Sequence, residues 1–296
     1  MSEMRFVRTD LADEYGILDF QDKLLEIMVY IDQFCAKYDI DYCLMAGSAL
    51  GARRYSGFIP WDDDIDIYMT EEGYDKFRRC FLKYADKEKY YLQEWGSCVC
   101  KGKHMITMAK VRLNKSEIKE KAYLNWKMHQ GIFVDIFVLH NCADTINAQR
   151  VQYACSEAVV LKGLEIRGYK AKNCKDRIML LVTRLLPRKL VLKVGLSNAY
   201  KYQNKKTEYC HGFIDTRKFS RAVFPKEIMF PGKYVEFETV KLKVPANNDA
   251  YLKIQFGNDY MTPPPIEKRE VNKHASGWNV SDDIIYDDFS DELKLI

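Results

Sequence analysis

Asp64 and Asp66 alternate with Ile65 and Ile67 in the run Trp61-Asp62-Asp63-Asp64-Ile65-Asp66-Ile67. In extended backbone, residues two apart share a face. The alternation therefore turns both carboxylates to one side and both isoleucines into a core. Like charges so placed repel each other and lose solvation. A divalent cation between them relieves both penalties, and hard oxygen donors beside a phosphate favour Mg2+ or Mn2+. An EF-hand loop is excluded: counted from Asp62, its obligatory glycine and final glutamate would fall on Ile67 and Gly73. A glycosidase pair flanks its substrate from two sides, which is poor geometry for neighbours on one strand. A solvated acidic turn is the plain alternative, and it leaves the alternating isoleucines unexplained.

A third acid, Asp135, stands alone in Gly131-Ile132-Phe133-Val134-Asp135-Ile136-Phe137-Val138. A buried carboxylate is costly unless something compensates it. A shared metal would do so, and so would an arginine or backbone donors. Gly47-Ser48 ends a short apolar run from Tyr42. Its N–H groups, the Ser48 hydroxyl and a following helix N-terminus could hold phosphate oxygens. Arg53 and Arg54 could neutralise phosphate charge. Neither G-x-x-x-x-G-K-[ST] nor G-x-G-x-x-G occurs, so a P-loop or Rossmann site is not indicated. Lys110 and Arg112 share a strand face and suit either phosphates or salt bridges.

These residues need elements to position them. Ile17, Phe20, Leu24, Met28, Ile31, Phe34 and Tyr38 fall at helical steps and predict a helix over 17–38. Residues 42–46 read as a buried strand and 64–67 as another. Tyr74, Phe77, Phe81 and Tyr84 predict a helix capped by Thr70. Strands follow near 106–112 and 132–139, then a mostly helical stretch over 145–206. Residues 228–244 read as short strands turning at Pro231-Gly232, and 247–256 as a helix closed by Gly257. The pattern predicts an α/β (α+β) core, a mixed sheet flanked by helices.

Composition sets bounds. With 296 residues, 47% apolar and 30% charged, the chain is ordinary for a folded soluble protein. Nine scattered cysteines, an odd number, suit reduced thiols in the cytoplasm. The first residues carry no signal-peptide core, and the most apolar stretch, 178–196, is interrupted by Arg184, Pro187, Arg188, Lys189 and Lys193. Charge is uneven. Between Lys162 and Lys206, thirteen Lys and Arg face only Glu165 and Asp176, a balance of +11 in a chain of net charge +4. Such a patch suits an acidic membrane surface, a polyphosphate-linked acceptor or nucleic acid, and equally a solvated helical face. The tail from Ser276 is acidic.

Strand, Gly-Ser, acid–apolar–acid–apolar and a later apolar–acid–apolar strand together resemble the nucleotidyltransferase (polymerase-beta-like) superfamily. More closely, Gly47 to Asp66 resembles the LicD family, related to the fukutin group. Its signature runs glycine–small–x–leucine–glycine–x–x–arginine, met here by Arg54. It then continues as Gly57-Phe58-Ile59-Pro60-Trp61-Asp62-Asp63-Asp64-Ile65-Asp66. Lys110-Val111-Arg112, Gly131 to Phe137, and Tyr251-Leu252 through Phe256-Gly257-Asn258-Asp259-Tyr260, then His274, resemble later family blocks. Val138, His140 and Phe256 depart from them.

The resemblance implies transfer of a phospho-alcohol, phosphorylcholine foremost. The donor would be CDP-linked, such as CDP-choline, and the acceptor a sugar hydroxyl of a surface glycan or its lipid-linked precursor. It implies Asp64, Asp66 and Asp135 as catalytic metal ligands for Mg2+ or Mn2+. Gly47, Ser48, Arg54, Trp61, Asp63, Lys110, Arg112, Tyr260 and His274 would contact substrate. Trp61, Tyr55, Trp95, Trp126, Tyr260 and Trp278 are aromatic faces available to a quaternary ammonium. Residues 1–145 would form the catalytic core, 146–206 a basic helical insertion facing acceptor or membrane, 207–275 a part completing the site and 276–296 an acidic tail. A cytoplasmic protein, peripheral on the inner membrane face, is expected, with no nucleic-acid partner. Nucleotidyl transfer by the same acids, or a silent binding protein on this fold, are the alternatives.

Overall fold

The computed structural model describes residues 13–94, 109–120, 128–166, 169, 171, 174–213, 218–269, 271 and 275–286. Helix α1 (Leu18–Lys37) leads to strand β1 (Cys43–Leu44), helix α2 (Ala46–Tyr55), strand β2 (Asp66–Thr70) and helix α3 (Glu71–Tyr84). Strands β3 (Tyr90–Gln93), β4 (Ala109–Leu113), β5 (Ser116–Glu120) and β6 (Phe133–Cys142) follow. Helices α4 (Ile146–Ile166), α5 (Cys174–Leu185) and α6 (Arg188–Ala199) form the insertion. The last described elements are β7 (Tyr209–His211), β8 (Val223–Pro225), α7 (Lys226–Met229), β9 (Lys233–Phe237), β10 (Val240–Val244), α8 (Asn248–Phe256) and β11 (Ala275–Val280).

The main sheet runs β1-β2-β6-β4-β3, and β7 and β8 continue it from the far end of β6. Only β2 and β6 pair in parallel; the other described pairs are antiparallel. This is the mixed α/β architecture the sequence predicts. The apolar stripe of α1 supplies Phe20, Leu24, Ile27, Met28 and Ile31, all buried against the sheet side chains Ile67, Val111, Val134 and Ile136. Each such side chain contributes about 1.5–3 kcal/mol when removed from water. α3 begins where expected: Thr70 Oγ1 accepts from Gly73 N at 3.0 Å, and Phe77 and Phe81 face the core.

Several expectations are corrected. The hairpin β9–β10 turns at Glu238 (φ 52°), because Pro231-Gly232 precedes its first strand. The segment after residue 274 is not simply a tail. β11 pairs antiparallel with β5, Lys115 holds Asp282 at 2.8 Å, and Tyr286 stacks on His129. Of the part after residue 207, β7 and β8 join the main sheet, whereas β9 and β10 pair with each other. The seven described cysteines are free. Among the described residues no helix is long and apolar enough to cross a membrane.

Candidate active site

The acidic run approaches β2 in extended form, and its burial alternates. Asp62, Asp64 and Asp66 are partly exposed, whereas Asp63, Ile65 and Ile67 are buried. Asp63, at 2% exposure, therefore points inward and does not face a substrate as expected. Asp62 takes its place on the open face. Extending the two-residue period one step back from Asp64 would have found it. Asp66 and Asp135 are register partners on the parallel strands β2 and β6, so the third acid arrives beside the first two. Backbone bonds fix this meeting. Asp135 N donates to Ile65 O at 3.1 Å and Met45 N to Asp66 O at 3.0 Å. Asp66 N donates to Ser48 Oγ at 2.9 Å, so Ser48, which is buried, positions the acid from the first turn of α2.

The site's charge is unbalanced. Burial raises the Asp66 pKa well above the carboxylate range, and Asp64, Asp135 and Asp62 raise it further, against Lys110. Burial also raises Asp135, offset in part by Lys110, whose Nζ lies 2.8 Å from Asp135 Oδ1. Lys110 also lies 3.4 Å from Glu120 and packs on the Phe133 ring. Behind it, Arg112 is fully buried. Its nitrogens donate to Gln93 Oε1 at 2.8 Å, Gly131 O at 2.6 Å and Glu120 Oε2 at 2.7 Å. Burial pushes the Glu120 pKa up, but Lys110 and Arg112 outweigh it and hold the carboxyl below its usual range. Arg112 thus belongs to the frame and is not available to a phosphate. Lys110 reaches the site as the counter-ion of Asp135. Glu120, which the sequence reading missed, links the two cations.

The signature loop is braced from three sides. From α1, Gln21 Nε2 donates to Ile59 O at 3.2 Å and Asp62 O at 2.7 Å. From the β9–β10 turn, Glu238 Oε1 accepts from Phe58 N at 2.8 Å, and a Cβ on Gly57 would collide with that carboxylate. Trp61, 9% exposed, packs edge-on against Tyr15 and Tyr55, and the Arg269 guanidinium lies 4.5 Å over its ring. At the start of α2, a Cβ on Gly47 would sit 2.5 Å from Asp62 Oδ2, so only a residue without a side chain leaves room for that carboxylate. Ala46 there adopts a left-handed φ of 42°, costly for a non-glycine residue. Its N–H donates to the buried Tyr251 hydroxyl at 2.9 Å.

The late block explains itself through these contacts. Arg54 donates to the carbonyls of Tyr260 and Thr262. The Tyr260 hydroxyl donates to Asp249, which also pairs with Arg53 at 2.9 Å. Arg54, Trp61 and Tyr260 are therefore placed as braces of the site. His274, Trp95 and Trp126 lie outside the described residues.

Among the described residues, no group of three or more His, Cys, Asp and Glu is ready-made to hold a metal ion. The expected three-carboxylate cage is not assembled, since Asp135 is turned onto Lys110. The donor chemistry nevertheless suits Mg2+, which takes one or two carboxylates and completes its shell with phosphate and water. The excess of carboxylates around Asp66 points the same way.

Residues 39–154, which span β1 to β6 and include Asp62, Asp64, Asp66, Glu120 and Asp135, match the LicD/FKTN/FKRP nucleotidyltransferase domain. This segment belongs to the LicD family. The chain is also 27% identical, over an alignment of 259 residues, to the lipopolysaccharide cholinephosphotransferase LicD of Haemophilus influenzae, covering 83% of this chain and 91% of that protein. A TNF receptor-associated factor family protein of Dictyostelium discoideum is 25% identical over 111 residues, 38% of this chain and 21% of that one. The LicD-family segment stops inside α4, so most of the basic insertion lies outside it.

Proposed function

We propose that this protein transfers a phospho-alcohol, phosphorylcholine foremost, from a CDP-linked donor such as CDP-choline to a sugar hydroxyl of a cell-surface glycan or its lipid-linked precursor, releasing CMP. One observation carries the reading: Asp66 and Asp135 stand in register on parallel strands, with Asp62 and Asp64 on the same open face. The similarity to a lipopolysaccharide cholinephosphotransferase over most of both chains supports phosphorylcholine as the group moved and a surface glycan as the acceptor.

In this reading Asp64 and Asp66 would hold Mg2+ or Mn2+, which when bound supplies charge neutralisation for the diphosphate and the departing CMP. The chain's own groups do the rest. Gly47 and the N-terminus of α2 receive phosphate oxygens. Ser48 keeps Asp66 aimed at the cleft. The acceptor oxygen attacks the phosphorus that carries the alcohol, the bond from that phosphorus to the CMP oxygen breaks, and the acceptor's proton passes to Asp135. A carboxylate whose pKa is raised by burial is a better proton acceptor than an exposed one, and Lys110 keeps Asp135 ionised until then.

The test is CMP release from CDP-choline, CDP-ribitol, CDP-glycerol and CDP-ethanolamine with a glycan acceptor and Mg2+. The wild-type protein should release CMP with one of them, and Asp66→Asn and Asp135→Asn should not. Release of pyrophosphate from a nucleoside triphosphate instead would assign nucleotidyl transfer, and turnover by Asp66→Asn would remove the carboxylates from the reaction.

A further inference from the structure

The helices α5 and α6 pack on α4 yet turn an apolar face away from it. On α5, Thr183 faces inward, 4% exposed, and its carbonyl accepts from Lys162 Nζ of α4 at 3.0 Å. Ile178, Leu181, Val182 and Leu185 lie on the opposite side at the three- and four-residue steps of one stripe. They are 62%, 55%, 53% and 85% exposed. On α6, Val191, Gly195 and Ala199 face inward, while Leu190 and Val194 are 52% and 47% exposed. The stripe is flanked by exposed Arg177, Arg184, Lys189 and Lys193.

Exposed apolar faces of this kind, on two helices joined by a two-residue turn, mark an interaction surface. The chemistry of its rim selects the partner. Its flanks carry the four exposed cations Arg177, Arg184, Lys189 and Lys193, and each exposed cation near an anionic bilayer adds attraction that an uncharged protein surface would not supply. Leucines that enter the acyl boundary while arginines and lysines stay at headgroup level are the signature of a helix lying in the interface plane.

We propose that the outward face of α5 and α6 is a docking surface for an anionic lipid bilayer. The helices lie in its surface and do not cross it. This surface is independent of the reaction assigned above, because vesicle binding is read without donor or turnover, and either can fail alone.

The experiment is co-sedimentation of the full chain with vesicles of phosphatidylglycerol and phosphatidylcholine, compared with phosphatidylcholine alone, at low and high salt. Binding should require phosphatidylglycerol and weaken with salt. Arg184→Glu combined with Lys189→Glu should weaken it by about fivefold or more per cation. Leu185→Ser combined with Leu190→Ser should weaken it on the order of tenfold or more. Both double variants should melt at the wild-type temperature, since the four side chains point away from α4. The proposal is overturned if the chain ignores phosphatidylglycerol vesicles, or binds both vesicle types equally without salt dependence. It is also overturned if the chain is a dimer in solution that Leu185→Ser with Leu190→Ser dissociates, since a second copy then covers this face.

Discussion

Replacing Asp66 by Asn should stabilise the metal-free protein while abolishing turnover. Asp66 and Asp135 are register partners on adjacent strands, and adjacent strands lie ~4.8 Å apart. Two full charges at that spacing repel by about 3 kcal/mol at an effective dielectric constant of ~20. Asp64 and Asp62 add to this. Lys110, 2.8 Å from Asp135, cancels part, and the partial exposure of Asp66 screens more, leaving a net relief of about 1–2 kcal/mol. In a chain of this size that corresponds to a rise of roughly 2–8 °C in Tm. The sign follows from linkage. The folded-state pKa of Asp66 is raised, so its ionised form costs stability at neutral pH. That cost shrinks as pH falls below the folded-state pKa and is gone below the ordinary carboxylate pKa. The advantage of the Asn variant should shrink in acid accordingly. Thermal melts with chelator and with Mg2+, paired with CMP release, measure all of this. A variant that melts below wild type in chelator would show that Asp66 is a satisfied structural carboxylate, and the reasoning would be refuted.

Arg112→Met should cost about 3–5 kcal/mol in urea unfolding because it strands Glu120 in the interior, and adding Glu120→Gln should recover much of that loss. Ser48→Ala should lower kcat on the order of tenfold or more by releasing Asp66, with KM for the donor little changed. His129 and His211 are buried, and burial depresses their pKa values to about 2 and about 3, with Arg112 and His140 respectively adding to the effect. Unfolding lets each take a proton below its ordinary pKa. Stability should therefore fall by about 1.4 kcal/mol per pH unit for each histidine as pH drops from ~6.5 toward those values. His211→Gln should flatten the slope by one proton, read from urea midpoints across that range.

The acids were legible because a two-residue period leaves a mark in sequence, and the same period carried one step back from Asp64 would have replaced Asp63 with Asp62. The long amphipathic helices and the cap at Thr70 were legible because their signals are local. Asn247 lies just outside α8 as its cap, its Oδ1 accepting from Ala250 N at 3.1 Å. The roles of Arg112, Arg54 and Tyr260 were not legible. An arginine beside a phosphate and one that closes a buried ion pair look alike until Glu120, Gln93 and the Tyr260 carbonyl are known to be neighbours. The pairing of β11 with β5 joins segments far apart in the chain, and Ala275–Val280 has no alternation to announce it. Tyr251 was read as part of a family block. Its hydroxyl beneath Ala46 gives that block a reason to persist.

The strand β6 holds Asp135 near one end and gives way to the helical insertion at the other. There Cys142 and Tyr209 face each other as register partners. The chain leaves and re-enters the sheet through one adjacent pair of residues, which is the geometry of a replaceable cassette. Such a cassette could be lengthened, shortened or exchanged between relatives without disturbing the pairing of Asp135 with Asp66. Selection for a new acceptor or a new docking partner could then act on the helices while the reaction centre stayed fixed.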